Sequence, residues 1–179
     1  MGIFFISDLH LGHKAAIRMC ERPFETVEEM NETLISNWNR VVNEGDTVYM
    51  LGDVSHRLTV ESANELIKQL HGKKVLIKGN HDKQYDATLF EGIYDFLEIH
   101  VYGVSISLMH YPMLEWPKFR YGSVHLHGHS HNKADYNLQM KSEGIHRYDV
   151  GVDANNFTPV SIKHILEFME IDSEGKEIK

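Results

Sequence analysis

Metal-binding side chains recur at five places in this chain, each directly after a short apolar run. The five segments are Ser7-Asp8-Leu9-His10, Leu51-Gly52-Asp53, Gly79-Asn80-His81-Asp82, Met109-His110-Tyr111 and Gly128-His129-Ser130-His131. Their donors are carboxylate, imidazole and amide groups without a Cys thiolate, a set that suits Mn²⁺, Fe, Zn²⁺ or Ni²⁺ better than Ca²⁺. One such segment could arise by chance, but five in one chain indicate a centre for two divalent metal ions that supports hydrolysis.

The segment from His125 to His131 gives the strongest local indication of a metal site. It reads HLHGHSH, so four histidines alternate with other residues. Because alternate residues of a strand face the same side, this pattern predicts one strand face that bears all four imidazoles. A strand that faces solvent has no reason for such a face.

The other segments each have a plain structural explanation when they are taken alone. Asp8 could cap a turn while His10 lies at the surface, and the Gly-Asp pair that ends at Asp53 is common in turns. Asn80 could belong to a left-handed turn. A lone histidine at a strand end, such as His110, is more often structural than a ligand. A carboxylate such as that of Asp53 can, however, bridge two cations, which His and Asn do poorly.

The ordered set resembles the calcineurin-like metallophosphoesterase superfamily, in particular its small single-domain bacterial and phage-type members. The family pattern runs D-x-H, G-D, G-N-H-[DE], H and G-H-x-H, and the match extends from Asp8 to His131. The resemblance implies two metal sites that share Asp53. The implied ligands of the first ion are Asp8, His10, Asp53 and His131. The implied ligands of the second ion are Asp53, Asn80, His110 and His129.

The same resemblance implies a mechanism and roles for other histidines. A hydroxide held between two divalent ions, with Mn²⁺ our first choice, would attack phosphorus in line. His81 would face the phosphate without binding metal and would protonate the leaving oxygen as a general acid. His125 and His127 lie outside the motif and are expected to support the ligands or the core.

Substrate contacts are less well defined by the sequence. Many family members have a carboxylate three residues after the bridging Asp, where this chain has His56. Arg57 follows and could contact phosphate or hold Asp53. The candidates for substrate binding are His13, Arg57, Tyr111, Trp116, Arg120 and Tyr121. The segment 111–121 lies between two ligand segments and could form one wall of the site, although Trp116 and the tyrosines could equally belong to the core.

Four functions are compatible with these residues. The first is a phosphodiesterase that acts on a small or nucleotide-like ester, with a small phosphorylated substrate as its partner. The second is a phosphomonoesterase or protein phosphatase. A nuclease is disfavoured by the acidic net charge and by the lack of a recognisable DNA-binding appendage. A non-catalytic scaffold is disfavoured because every ligand position and His81 are present.

The bulk properties fit one domain over residues 1–179. The apolar content of 42% is enough for a core, and the formal charge of −8 disfavours stable binding of nucleic acid. Two divalent ions would nevertheless add positive charge where a phosphate must approach. The single cysteine, Cys20, cannot form an intramolecular disulfide, and no run approaches the ~20 apolar residues of a membrane span, so we expect a cytoplasmic protein.

The first eighty residues alternate strand and helix in the pattern of parallel crossover units. Apolar strands are predicted at residues 2–7, 47–51 and 75–77. Ligand chemistry in parallel sheets collects at the carboxyl ends of the strands, so Asp8, Asp53 and Asn80 should converge on one crevice. The fold expected from the elements and from the resemblance is α/β, a two-sheet β-sandwich flanked by helices in four α-β-β-α layers.

Capping residues and turn residues predict where the remaining elements begin and end. A capping box at Thr26 and Glu29 opens a helix to about Val42. Thr59 caps a helix through Leu70, which Gly72 ends. Further elements are predicted as a hairpin at 96–109, strands at 124–127 and 148–152, and a helix at 162–169 capped by Ser161. Residues 132–147 form a polar excursion without an assigned element, and the tail beyond Ile171 is expected to fray.

Overall fold

Two mixed sheets form the centre of the protein in the computed structural model, which describes residues 1–172. The first sheet has the order β4-β3-β2-β1-β9, in which β1 to β4 are parallel and β9 runs antiparallel to β1. Its strands are β1 Ile3–Ile6, β2 Thr47–Met50, β3 Lys73–Ile77, β4 Gly92–Tyr94 and β9 Val160–Ser161. The parallel strands β1 to β3 match the predicted crossover units.

The second sheet has the order β5-β6-β7-β8. Its strands are β5 Leu97–Val101, β6 Val104–Leu108, β7 Val124–His127 and β8 Arg147–Asp149. β5 and β6 form the predicted hairpin, with Tyr102 and Gly103 both at positive φ, 50° and 75°, as a tight two-residue turn requires. β6, β7 and β8 are parallel, so their carboxyl ends lie at the same edge.

Five α-helices accompany the sheets over the described part of the chain. They are α1 Lys14–Met19, α2 Val27–Val41, α3 Val60–Ile67, α4 Ala134–Ser142 and α5 Ile162–Phe168. The predicted fold class, α/β with two sheets flanked by helices, is confirmed. None of the helices within residues 1–172 is long and apolar enough to cross a membrane. The tail that was expected to fray falls largely in residues 173–179, outside the described residues.

The helix boundaries differ from the predictions in several details. Thr26 does cap α2 through the Glu29 amide (3.1 Å), but the Glu29 carboxylate accepts from the Glu25 amide at 2.8 Å and not from Thr26, so only half of the predicted capping box forms. α3 ends at Ile67, three residues before the predicted end. Gly72 has a φ of +82° and serves the turn into β3.

The core has two parts because the first sheet is covered on both faces. One part fills the space between the sheets and includes Phe5, Ile77, Ile106 and Leu126. The other lies under α2 and α3 and includes Trp38, Leu34, Met30, Val48 and Met50. Adjacent residues of the same strand therefore point into different parts, which explains why β1 to β3 read as continuous apolar runs.

The two sheets meet where β1 ends. The Ser7 amide donates to Val150 O (3.2 Å), and the Val152 amide donates to Ser7 O (3.1 Å), so the segment after β8 pairs with the segment after β1. Gly128, directly after β7, passes the same point. A Cβ at position 128 would lie 1.6 Å from Ser7 Oγ, so only glycine permits this approach. The carboxyl ends of both sheets are thereby brought to one crevice.

Candidate metal centre

The loops after β1 and β2 run side by side into the crevice. The amides of Asp8 and His10 donate to Gly52 O (3.0 Å) and Asp53 O (2.9 Å). Asp8, His10 and Asp53 all have left-handed backbone, with φ of 58°, 50° and 54°. Left-handed backbone at a non-glycine residue costs roughly 1–2 kcal/mol. Strain repeated at three predicted ligand positions indicates that the surrounding structure holds these side chains for a purpose other than stability.

Asp82 fastens the loops after β2 and β3 to each other. Its Oδ2 accepts from the amides of Asp53 (2.9 Å) and Gly79 (2.8 Å), and its Oδ1 accepts from the Val54 amide (2.8 Å) and the Tyr85 hydroxyl (3.0 Å). Asp82 belongs to the Gly79-Asn80-His81-Asp82 motif, but its role could not be predicted from the sequence. In the structure it positions the backbone on either side of Asp53.

Four predicted ligand atoms come together as a first donor cluster. His10 Nε2 and His131 Nε2 are 3.2 Å apart, His10 Nε2 is 3.5 Å from Asp53 Oδ2, and His131 Nε2 is 4.0 Å from Asp8 Oδ1. Two imidazole nitrogens and two carboxylate oxygens at these distances form a donor set that suits a divalent cation.

The other predicted ligands form a second donor cluster beside the first. Asn80 Oδ1 lies 3.1 Å from both His110 Nε2 and His129 Nδ1, and these two nitrogens are 3.2 Å apart. His110 Nε2 is 3.6 Å from Asp53 Oδ2. The same carboxylate oxygen of Asp53 therefore faces both clusters, at 3.5 Å from a nitrogen of one and 3.6 Å from a nitrogen of the other.

The burial and protonation of Asp8 and His10 show that these clusters suit divalent cations. Asp8 is fully buried, and its Oδ1 has no hydrogen-bond partner. Burial raises the pKa of Asp8 above its ordinary value, while His131 and His110 pull it down. Burial also lowers the pKa of His10 to about 2, so its imidazole is neutral and has a free lone pair at neutral pH. A buried carboxylate oxygen without a partner, near the neutral imidazole of His10, is a set that a cation would satisfy.

A hydrogen bond at Nδ1 fixes the orientation of two of the ligand histidines, His110 and His131. His110 Nδ1 donates to Leu51 O (2.7 Å), which leaves Nε2 free for the cluster. His131 Nδ1 bonds Asp153 Oδ2 at 2.8 Å, which likewise directs its Nε2 inward. Burial opposes the charged form of His131, but Asp153, Cys20 and Asp8 together raise its pKa to about 10. A cation at Nε2 would take the place of that proton.

Arg22 and Asp153 form a buried ion pair that the sequence analysis missed. The Arg22 guanidinium bonds Asp153 through Nε (3.0 Å) and NH2 (2.9 Å), and it also donates to the carbonyl oxygens of Asp8 (2.7 Å) and Leu9 (3.0 Å). This pair therefore connects the backbone at Asp8 with the ring of His131. No local motif marks either residue in the sequence, because they are 131 positions apart.

His81 lies at the mouth of the crevice rather than among the donors. Its amide donates to Asp53 Oδ1 (2.9 Å), its Nε2 is 4.0 Å from Asp53 Oδ2, and its side chain is 40% exposed. His56 packs edge-on against His81 at 4.3 Å between ring centroids, and His13 stacks on His56 at 4.1 Å. Burial lowers the pKa of His56 and of His13, and the pKa of His13 falls to about 4.

Four further substrate candidates come from the segment 111–121, and they are Tyr111, Trp116, Arg120 and Tyr121. Tyr111 is exposed and lies 4.6 Å from the His129 ring and 5.1 Å from the His110 ring, so it borders the second cluster. Trp116 is buried, and its indole donates to Ser123 O (3.2 Å), which makes it a core residue. Arg120 pairs with Glu115 at 3.7 Å, and Tyr121 is 90% exposed.

The prediction that four histidines share one strand face is wrong. β7 ends at His127, and His129 and His131 have left-handed backbone with φ of 71° and 49°. His125 and His127 do share a face, but they are buried and hydrogen-bonded. The Met113 amide donates to His125 Nε2 (3.1 Å), and His127 Nε2 bonds the Tyr136 hydroxyl (3.1 Å). Burial lowers the pKa of both to about 4, so they support the core as neutral rings.

Comparisons with known proteins give the family and the relatives of this chain. The family model described as calcineurin-like phosphoesterase matches residues 1–143. An uncharacterized protein of Methanocaldococcus jannaschii is 36% identical over 99% of this chain and 94% of its own length. The gene 66 protein of Mycobacterium phage L5 is 31% identical over 84% of this chain and 86% of its own. A crystal structure of a protein of unknown function from Aquifex aeolicus superposes with a TM-score of 0.75 at 27% identity, covering 93% of this chain and 98% of that one.

Proposed function

Because the chain belongs to the calcineurin-like phosphoesterase family and is a metal-dependent phosphoesterase, we propose that it hydrolyses small or nucleotide-like phosphodiesters. The observation that carries this proposal is the position of Asp53 Oδ2 between two clusters of nitrogen and oxygen donors. A single carboxylate that faces both clusters is what a dinuclear centre needs to hold two cations against their mutual repulsion.

The proposed ligands follow the two clusters. Asp8, His10, Asp53 and His131 would hold one ion, and Asp53, Asn80, His110 and His129 would hold the other. The ions, which we propose to be Mn²⁺, would supply Lewis acidity and a nucleophilic water next to the phosphorus. The neutral imidazole of His10 and the buried Asp8 carboxylate are ready to bind a cation.

His81 would act on the leaving group. Its ring is 40% exposed at the mouth of the crevice, whereas the rings of the proposed ligands His10 and His110 are buried, which suits a group that faces the ester rather than an ion. The bond from its amide to Asp53 Oδ1 holds it there. Delivery of a proton from His81 to the departing oxygen would complete the cleavage of the P–O bond.

The fixed charges around the donors favour a diester over a monoester. A monoester dianion carries more charge and is usually served by fixed cations besides the metals. Arg22 is the one guanidinium that bonds to ligand-bearing backbone within the described residues, and its donors are taken by Asp153, Asp8 O and Leu9 O. The cations Lys14, Arg18 and Arg57 line a separate cavity behind the ring of His13 and, within residues 1–172, bond to none of the donors. The mouth of the crevice is also open enough to expose His81, which leaves room for two ester substituents.

A substrate screen with defined metals tests this function. Protein loaded with Mn²⁺, Ni²⁺, Zn²⁺ or Fe²⁺ is assayed with bis-p-nitrophenyl phosphate and p-nitrophenyl phosphate. We expect a higher kcat/KM for the diester in Mn²⁺ or Ni²⁺. A preference for the monoester with every metal would contradict the diesterase assignment and indicate a phosphatase, and no hydrolysis of either would contradict the proposed site.

A further inference from the structure

A cavity of about 600 Å³ opens beside the metal centre, and its lining is strongly basic. The lining residues are Gly12, His13, Lys14, Ala15, Arg18 and Arg57. It contains three cations and no carboxylate, although the whole chain has 26 acidic and 18 basic residues and a formal charge of −8. An acidic protein that keeps three positive charges together in one concave site has a local field that attracts anions.

The three cations are not used by the protein itself. No ion pair joins Lys14, Arg18 or Arg57 to a carboxylate within residues 1–172. Other basic residues of the surface do have such partners. Examples are Lys68 with Glu65 (2.6 Å), Lys78 with Asp95 (2.7 Å) and Lys141 with Glu170 (2.9 Å). The charge of the cavity is therefore available to a ligand.

One wall of the cavity is shared with the metal centre. His13 lines the cavity, and its ring centroid is 5.5 Å from that of His10, whose Nε2 belongs to the first donor cluster. His13 also stacks on His56, which contacts His81. A group in the cavity is thus separated from the first donor cluster by the rings of His13 and His10.

The two sides of the cavity are held in fixed relation to the crevice. Leu11 pairs with Ser55 in an isolated parallel bridge, and a Cβ on Gly12 would lie 2.3 Å from Leu58, so the two loops are in direct contact. Arg57 has left-handed backbone with a φ of 61°, a conformation that costs free energy in any residue other than glycine. The contact between the two loops thus brings Arg57 to the same cavity as Lys14 and Arg18.

A third metal ion is a competing explanation for the histidines of this wall. Donor atoms of His10, His13 and His56 lie within 4.8 Å of one another, and the buried Nδ1 atoms of His10 and His13 have no hydrogen-bond partner. Lys14, Arg18 and Arg57, however, line the cavity that His13 borders, and their positive charge repels a further cation. The charge of the cavity therefore favours an anion.

We propose that this cavity is a second anion subsite, which binds a further phosphate group of a small substrate whose scissile phosphodiester lies at the metal centre. The inference rests on the proposed phosphodiesterase function and narrows its substrate class to diesters that carry an additional phosphate. Lys14, Arg18 and Arg57 neutralise that phosphate, and His13 separates it from the reacting group.

Equilibrium binding tests the subsite without relying on turnover. Thymidine 3′,5′-bisphosphate and thymidine 5′-monophosphate are titrated calorimetrically into Mn²⁺-loaded protein at low ionic strength. We expect the bisphosphate to bind at least roughly tenfold more tightly. The double variant Lys14→Ala/Arg18→Ala removes two exposed charges and should reduce that ratio by roughly two- to thirtyfold.

Matched variants separate a charge effect from a structural effect. Lys14→Arg/Arg18→Lys conserves both charges and should keep the ratio, and Lys163→Ala removes an exposed charge of α5 that does not line the cavity and should also keep it. Equal affinity for the two nucleotides, or a ratio that Lys14→Ala/Arg18→Ala leaves unchanged, would overturn the subsite.

Turnover distinguishes failure of the subsite from failure of the proposed function. Thymidine 5′-(p-nitrophenyl phosphate) and its 3′-phosphorylated form are compared as substrates, and we expect the second to have the lower KM. Hydrolysis of both at equal kcat/KM overturns the subsite alone. Hydrolysis of neither, with the bisphosphate still bound more tightly, overturns the diesterase and leaves the subsite. Tight binding of a single-stranded oligonucleotide through Lys14 and Arg18, with no preference for the bisphosphate, would replace the small substrate with a nucleic acid.

Discussion

The two sheets contribute to the metal centre by different means. On the side of the first sheet, Asp8, Asp53 and Asn80 follow parallel strands. Backbone hydrogen bonds hold their loops, together with the hydrogen bonds that Asp82 accepts from the amides of Asp53 and Gly79. On the side of the second sheet, all three contributions are imidazoles, and two of them are oriented by a partner of the opposite ring nitrogen. The first side thus supplies all the oxygen ligands, the negative charge and one nitrogen from His10, while the second supplies only nitrogens, and two of its rings are each directed by one hydrogen bond.

This difference predicts a graded response to mutation. A change in the shared charge of the first side should abolish the centre, whereas a change in an orienting contact of the second side should weaken it. Substitutions at the mouth, where neither sheet supplies a ligand, should leave the metals bound and alter only rate or substrate affinity.

The largest expected effect is that of Asp53→Asn. The amide removes the negative charge that faces both clusters, so both ions should be lost. Loss of the several kcal/mol that two ions supply corresponds to a fall of about 10³-fold or more in kcat/KM, which leaves background activity. Metal content by mass spectrometry and turnover measure the effect, with Asp95→Asn as an exposed carboxylate control. Two ions per chain and retained activity would show that Asp53 does not bridge.

His81→Ala is expected to reduce the rate while both ions stay bound. General-acid help is typically worth ~10²–10⁴-fold, and the loss should be greatest for esters with poor leaving groups. Esters of p-nitrophenol need little protonation and should lose much less. A series of aryl esters of graded leaving-group pKa, combined with metal analysis, measures this. The same loss across the whole series, or loss of an ion, would exclude the general-acid role.

Asp153→Asn is expected to have an intermediate effect, through the orientation of His131. Loss of an orienting partner of a metal-bound histidine typically costs ~10–100-fold in metal affinity or activity. The Arg22 charge also becomes unpaired in a buried position, so the melting temperature should fall as well. Titration with Mn²⁺ separates the two effects. A lower melting temperature with unchanged metal affinity would mean that Asp153 serves the fold alone.

These residues illustrate which parts of the site a sequence can reveal. Asp8, Asp53 and Asn80 could be placed because each follows an apolar strand directly, and parallel strands bring their carboxyl ends together. Asp153 and Arg22 could not, because their relation depends on tertiary contact over 131 positions and on no local pattern. His129 and His131 were found by motif, but their left-handed backbone was hidden, since alternation in the sequence imitates a strand.

The elements of the fold, too, could be predicted only where a local sequence pattern marks them. β1, β2, β3, α2 and the β5–β6 hairpin have strong apolar periodicity or turn residues and were predicted. α4 was missed because only Asn137 and Met140 of it are buried, so its sequence has no apolar stripe. α1 has six residues and no side-chain cap, so no helix-start residue announces it. Both missed helices are short elements that the remainder of the structure stabilises.

The smallest expected effect belongs to Tyr111, which borders the second cluster but supplies no proposed ligand. Its exposed ring lies 4.6 Å from the His129 ring, where it could stack on a nucleobase or aryl group of the ester. Stacking of a base on an aromatic side chain is worth ~1–3 kcal/mol. Because Tyr111 is exposed, its contribution should lie at the lower end of this range. Tyr111→Ala should therefore raise KM about fivefold and leave kcat unchanged. Tyr111→Phe keeps the ring and should resemble the unsubstituted protein. If Tyr111→Phe lost as much as Tyr111→Ala, the hydroxyl rather than the ring would be the contact, and a fall in kcat with loss of an ion would mean that Tyr111 instead supports the histidines of the second sheet.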